Sequence, residues 1–231
     1  MHFRIPAKMQ PALTKIFRDL TDPPTPNLRG DRDIEYAWVL SHLPLGSGRA
    51  LDFGCGNGYL GLGAALRGFQ TFALDVRSPQ WFYRHEKLQH LQTDFRQSSF
   101  APESFDLIIN CSAIEHVGLG RYGDGAEPDG DLSVMSMLRE VLRPHTGVML
   151  LTIPVGQDAI IAPWHRVYGP TRLPRLLEGY QEVSCGYWAK DRQNIWNQVA
   201  RPEALATRPN ATYYGLGCFE LRAASGTVSA R

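Results

Sequence analysis

With 231 residues, 43% of them hydrophobic and 20% charged, the chain can bury one sizeable core, and one domain with decorations is expected. A formal net charge of +1, with lysines and arginines scattered, offers no electrostatic case for a nucleic-acid partner. No stretch approaches 18 uninterrupted apolar residues, which argues against membrane insertion, and the N-terminus carries basic residues without an apolar signal stretch. The four cysteines, Cys55, Cys111, Cys185 and Cys218, are dispersed without metal-site spacing, so reduced, mostly buried thiols in a cytoplasmic protein are expected.

In chain order, the pattern predicts an amphipathic helix over 11–20, then a linker or turn at 21–30 holding three prolines and a glycine. Residues 1–30 thus read as an extension, a lid or dimer arm, and 31–231 as a single domain. A helix at 31–43 precedes strand 49–53, helix 58–67, strand 70–75, a short helix near 79–86 and strands 90–94 and 105–111. Helix 131–143 follows, its apolar positions at Leu132, Met135, Leu138, Val141 and Leu142 and its stop at Arg143-Pro144. Strand 147–153 comes next, and the less regular remainder suggests helix 171–178 and strands 181–188 and 213–222. Such alternation implies an α/β fold with a mostly parallel sheet and helices on both faces. Its ligand sites lie beyond the carboxyl ends of the strands.

The first such end is the most informative. Residues 50–61 read Ala-Leu-Asp-Phe-Gly-Cys-Gly-Asn-Gly-Tyr-Leu-Gly, an acidic residue and three alternating glycines between an apolar run and a helical one. Gly54, Gly56 and Gly58 let the backbone turn sharply and a ligand approach closely, and the helix start offers free N–H groups. Gly56-x-Gly58-x-x-Gly61 also fits a dinucleotide fingerprint, so the glycines alone leave two cofactors open. Asp52 separates them, because a carboxylate there accepts hydrogen bonds from an ammonium group but repels a pyrophosphate.

Asp52-x-Gly54-x-Gly56-x-Gly58 resembles the first motif of class I S-adenosylmethionine-dependent methyltransferases. The resemblance implies a three-layer Rossmann-like methyltransferase fold, S-adenosyl-L-methionine as cofactor, and a cofactor contact running through Asp52, Gly54, Cys55, Gly56 and Gly58. Asp75 ends the second strand 17 residues beyond Gly58, close to the roughly 20-residue offset of a ribose-binding acid. The resemblance gives it the ribose hydroxyls, with Val76 beside the adenine. Asp94-Phe95, after the third strand, supplies an acceptor for the adenine amino group in the same family, although an Asp at a strand end is also an ordinary helix cap.

After strand 105–111 the chain reads Ser112-Ala-Ile-Glu-His-Val-Gly-Leu-Gly-Arg-Tyr-Gly-Asp124. Ser112 should pass near the sulfonium, while Glu115, His116, Arg121, Tyr122 and Asp124 stand on the acceptor side. Methyl transfer is an in-line displacement that needs alignment, water exclusion and, for a hydroxyl acceptor, removal of a proton. Neutral imidazole suits that last task, so His116 is the candidate base, with Glu115 beside it; the other reading is that His116 merely packs against the cofactor. The string from Ile114 to Asp124, with residues 152–156 and His165-Arg-Val-Tyr-Gly169, resembles a branch of these methyltransferases catalogued as a domain of unknown function. Members of that branch recur beside genes for sugar and surface-polysaccharide synthesis, which implies a sugar or nucleotide-sugar hydroxyl as acceptor. The match covers about residues 48–180.

His165 and Arg166 are expected to close the same pocket, Arg166 and Arg121 suiting a phosphate or carboxylate, Trp164 and Tyr168 a sugar face. The other reading pairs these arginines with Asp124, Asp129 or Asp131 to order the loop. Metal is left unassigned, and Asp131 is expected to cap the helix that follows. An O-methyltransferase for a small polar acceptor is thus expected, with an NAD-dependent oxidoreductase or a non-catalytic methyltransferase-like protein as alternatives. Oligomeric state is not encoded in any visible pattern.

Overall fold

Apolar runs bounded by glycines and aspartates form the middle of an eight-stranded sheet, and helices cover both of its faces. The structure is a computed structural model that describes residues 30–210 and 212–224. The helix expected over 11–20 and residues 21–29 of the linker lie outside the described residues. In chain order the elements are α1 (Arg32–His42), β1 (Arg49–Phe53), α2 (Leu60–Leu66), β2 (Gln70–Asp75), β3 (Leu88–Gln92), β4 (Leu107–Cys111), α3 (Gly130–Val141) and β5 (Val148–Val155). A hairpin of β6 (Ala159–Ile161) and β7 (His165–Val167) follows, then α4 (Arg172–Leu176), β8 (Tyr180–Lys190), β9 (Trp196–Val199), α5 (Arg201–Leu205) and β10 (Gly215–Ala223). The β6–β7 hairpin, β9 and α5 have no counterpart in the sequence reading.

The strand order is β3-β2-β1-β4-β5-β10-β8-β9. The first five are parallel and the last three antiparallel to their neighbours. β4 shows why the centre is parallel: every residue from Leu107 to Cys111 is buried, as a strand covered on both faces must be. Leu107 and Ile109 pack with Val39, Leu60 and Ala64 of α1 and α2. Ile108 packs on the other face with Val134, Met135 and Leu138 of α3. Strand order reverses between β1 and β4, and the register aligns Phe53 with Leu74 and Asn110, so three carboxyl ends open at one level.

The helix expected near 79–86 does not form. Trp81 and Tyr83 stack at 5.2 Å, Gln80 N donates to Asn57 Oδ1 at 2.8 Å and Tyr83 Oη donates to the Gly58 carbonyl. Those side-chain bonds draw the segment onto the glycine turn instead of into its own helical ladder.

Arg166 on β7 anchors the loops above the sheet. Its guanidinium is fully buried, donating to the carbonyls of Val117, Glu127 (3.0 Å) and Pro128 (3.2 Å), with Nε 3.5 Å from Asp131 Oδ1. Asp131, also fully buried, accepts from Tyr168 Oη and Arg172 Nε, each at 3.0 Å. Asp131 is therefore not the expected helix cap, a position that falls to Asp129. Removing one side of such a buried ion pair leaves the other uncompensated, so Arg166→Met is expected to cost about 3–5 kcal/mol in urea unfolding. A loss under about 1 kcal/mol would mean the network behaves like an exposed pair.

Candidate active site

The cleft begins where the chain leaves β1. Gly54 has φ +67°, and a Cβ there would lie 2.4 Å from the Ala113 Cβ, so only glycine lets the β1 and β4 loops touch. Gly56, at φ +49°, would meet nothing within 4 Å; its open side belongs to the cleft. Asp75 Oδ2 accepts from Gly56 N and Oδ1 from Arg77 N, both at 2.9 Å, which ties the glycine turn to the end of β2. With its open mouth the cleft measures about 880 Å³, and Val76, Asp94, Phe95 and Ser112 line it along with these residues. Both Asp94 oxygens are engaged by Arg96 at 2.6–3.1 Å, and Asp94 also caps the short turn Phe95–Gln97. The guanidinium beside it holds the Asp94 carboxyl below its usual range.

A deeper pocket opens from this cleft between Asp52, Cys55, Gly58, Tyr36 and Arg32. Asp52 Oδ2 accepts from Gly61 N at 2.8 Å, and burial pushes its carboxyl up to about 7. Facing the same pocket, Arg32 is held by Glu35 Oε2 at 3.4 Å. Glu35 is itself fully buried, its Oε1 accepting from Thr152 Oγ1 at 2.9 Å and from the Ser112 hydroxyl. Burial raises the Glu35 carboxyl as well. Ser112 adopts φ +47°, a conformation that costs energy for a side chain other than glycine and is retained where surrounding bonds enforce it. Arg32 and Glu35 escaped the sequence reading. Their signal was a charged pair at i, i+3 in line with the stripe of Tyr36 and Val39 on α1. A carboxylate and a guanidinium lining one pocket fit the ammonium and carboxylate of an amino acid, whereas a pyrophosphate there would meet Asp52.

On the other side of Arg32, Ser112 and His116 lies a second chamber of about 930 Å³ including its mouth. Asp31, Glu115, Arg121, Trp164, His165 and Tyr214 complete its walls. His116 stands at the boundary. Its Nδ1 is 2.5 Å from the Trp164 carbonyl, which only accepts, so Nδ1 carries the proton and Nε2 keeps a lone pair. Burial pushes the imidazole down to about 4, and it is neutral at pH 7. Glu115 Oε1 lies 3.7 Å from that Nε2, while Oε2 is buried without a hydrogen-bond partner among the described residues. With the side chain 2% exposed, burial pushes the Glu115 carboxyl up to about 8. His165 is buried and lowered for the same reason.

Several expected acceptor residues sit elsewhere. Arg166 and Tyr168 are fully buried in the Asp131 network and reach neither cavity, because the carbonyls of the 117–128 segment and Asp131 consume their donors. Asp124 and Tyr122 line the cofactor cleft and not the chamber. Asp124 accepts from Gly118 N at 2.5 Å and from Tyr122 N at 3.2 Å, ordering its own loop. Among the described residues no cluster of His, Cys, Asp and Glu converges as a metal would require.

Comparison with known proteins agrees with this architecture. N-methyltransferase NodS from Bradyrhizobium japonicum WM9, solved with S-adenosylhomocysteine, aligns with TM-score 0.57 and 18% identity, covering 90% of this chain and 91% of that one. The 1,6-didemethyltoxoflavin-N1-methyltransferase of Burkholderia thailandensis aligns with TM-score 0.55 and 17% identity, covering 97% and 93%. The fold is that of the class I S-adenosylmethionine-dependent methyltransferases. A ubiquinone biosynthesis O-methyltransferase of Azotobacter vinelandii is 33% identical over 193 residues, 78% of this chain and 77% of the relative. The chain belongs to this class and, through residues 79–207, to the family described as "Caenorhabditis protein of unknown function, DUF268".

The Glu115 carboxyl generates a stability test. Its folded-state pKa lies above the value of about 4.3 in an unfolded chain, so the native state holds the extra proton. The stabilisation is complete below about pH 4 and is lost as pH rises through about 8. Glu115→Gln removes this titration. In urea unfolding at pH 5.5, 7 and 8.5, the variant should gain on the native protein as pH rises, and a difference independent of pH would contradict the assignment.

Proposed function

We propose that the chain methylates a hydroxyl oxygen on a small polar acceptor such as a sugar or glycan precursor, with His116 as general base. The observation that carries this reading is the position of His116, its Nε2 lone pair free, where a cleft suited to an adenosyl amino acid meets a second chamber. When bound, S-adenosylmethionine supplies an electrophilic methyl group on a sulfonium. Asp52 takes the ammonium and Arg32 the carboxylate of its amino-acid end. Asp75, whose oxygens each retain a lone pair beyond the bonds to Gly56 and Arg77, takes the ribose hydroxyls. Val76, Asp94 and Phe95 flank the adenine, and the turn from Gly54 through Cys55 and Gly56 to Gly58 lets the ligand lie against backbone.

The acceptor hydroxyl faces His116 from the chamber, which both aligns it and keeps water from the line of transfer. An imidazole depressed to about 4 is unprotonated throughout the physiological range and so open to the hydroxyl proton as the new O–C bond forms, while the same burial makes it a weaker base than an ordinary imidazole. The 33% identity to an O-methyltransferase favours oxygen as the accepting atom.

Calorimetric titration with S-adenosylmethionine, S-adenosylhomocysteine and NAD tests the cofactor half. Micromolar binding, about −8 kcal/mol, is expected for the first two and none for NAD; binding of NAD alone overturns the reading. Asp75→Ala should weaken S-adenosylhomocysteine by about 1–3 kcal/mol. Once an acceptor is in hand, His116→Ala should slow transfer by about 10²–10⁴-fold, and an unchanged rate removes His116 as base.

A further inference from the structure

Arg121 is built for a partner that no described residue supplies. Its guanidinium lies over the Trp164 ring at 5.0 Å and over the Tyr122 ring at 5.2 Å, so aromatic surface orients the plane of the cation. The N–H edge is left nearly unused, its contact being a 3.4 Å donation from Nη1 to the Trp164 carbonyl. No carboxylate among the described residues forms an ion pair with it, although the other acids of the chamber are engaged or buried. Asp31 accepts from Tyr214 Oη at 2.7 Å and from Arg32 N at 3.1 Å, and Glu115 is desolvated.

Of the other titratable walls, Arg32 is paired with Glu35, burial keeps His116, His165 and Glu115 neutral near pH 7, and Asp31 is engaged by Tyr214 and the Arg32 backbone. Arg121 Nη1 and His116 Nδ1 both lie against the Trp164 carbonyl, at 3.4 and 2.5 Å, so a group held at the Arg121 edge sits beside the base in the chamber that both residues line.

From this geometry we infer that the methyl acceptor carries an anionic group, a phosphate or a carboxylate, received in the chamber by the N–H edge of Arg121. A planar guanidinium binds such oxygens through two parallel hydrogen bonds, fixing the distance and the roll of the acceptor relative to His116. The assignment rests on the acceptor reading above and adds the charge of the acceptor. Neutral acceptors with the same hydroxyl would enter the chamber without that anchor and sample many orientations.

The test uses the full chain saturated with S-adenosylhomocysteine, titrated calorimetrically with inorganic phosphate and with acetate at an ionic strength held constant with chloride. Saturable binding of at least one anion is expected, weakened about tenfold or more in Arg121→Gln. S-adenosylhomocysteine affinity in that variant should stay within about threefold, which shows that the variant is folded. Phosphate alone points to a phosphorylated acceptor, and acetate alone to a carboxylic one. Absence of saturable binding of either anion, or equal binding by Arg121→Gln, overturns the inference. Failure of the native protein to bind S-adenosylhomocysteine would instead strike the cofactor reading.

Discussion

The site depends on one buried carboxylate. Glu35 accepts from Ser112 and Thr152 and pairs with Arg32, which joins α1 to the carboxyl end of β4 and the middle of β5. Burying that charge is costly, and the hydroxyls and guanidinium around it offset the cost only while all of them are in place. Arg32 lines the cleft, the inner pocket and the chamber alike. The position of the residue common to all three spaces is thus set by an acid that lines none of them.

Desolvation is the second constraint. Asp52, lining the inner pocket, and Glu115, lining the chamber, both have carboxyls raised by burial, to about 7 and about 8. Such groups reduce stability at neutral pH compared with hydrogen-bonded or apolar replacements, and folded proteins retain them mainly where chemistry uses them. An ammonium beside Asp52 would restore its charge. The cavity that weakens the free protein is in this sense complementary to a cation.

The parallel half of the fold was legible because its strands are apolar runs that end in glycine or aspartate, a local signal. The strand pair of β1 and β2 matches at both boundaries, and α3 begins one residue before its expected start. What lies past β5 was less legible, since the β6–β7 hairpin and β9 owe their pairing to partners distant in sequence and not to a repeating pattern. Gly54, Gly56, Asp75, Ser112 and His116 all line one cleft, and Asp52 and Gly58 line the pocket that opens from it, as an alternation of strand and turn suggests. For Arg166 the loop-ordering alternative, pairing with Asp131, is the one observed, and Tyr168 joins that network instead of facing a sugar: a charged or hydroxylated side chain after a strand looks the same whether it faces a ligand or a set of orphaned carbonyls. Arg32 and Glu35 were missed for the converse reason, because an acid and a base one turn apart read as an ordinary exposed helical pair.

Among the described residues the cleft and the chamber share the side chains of Arg32, Ser112 and His116. The chamber's remaining walls come from the start of α1, the 115–121 segment, Pro154 of β5, the β6–β7 hairpin and the approach to β10, none of which contributes to the glycine turn. Substitutions on those walls can reshape what enters the chamber while leaving the adenosyl cleft untouched. Such a partition gives a lineage freedom to change its acceptor one wall at a time without first losing its methyl donor.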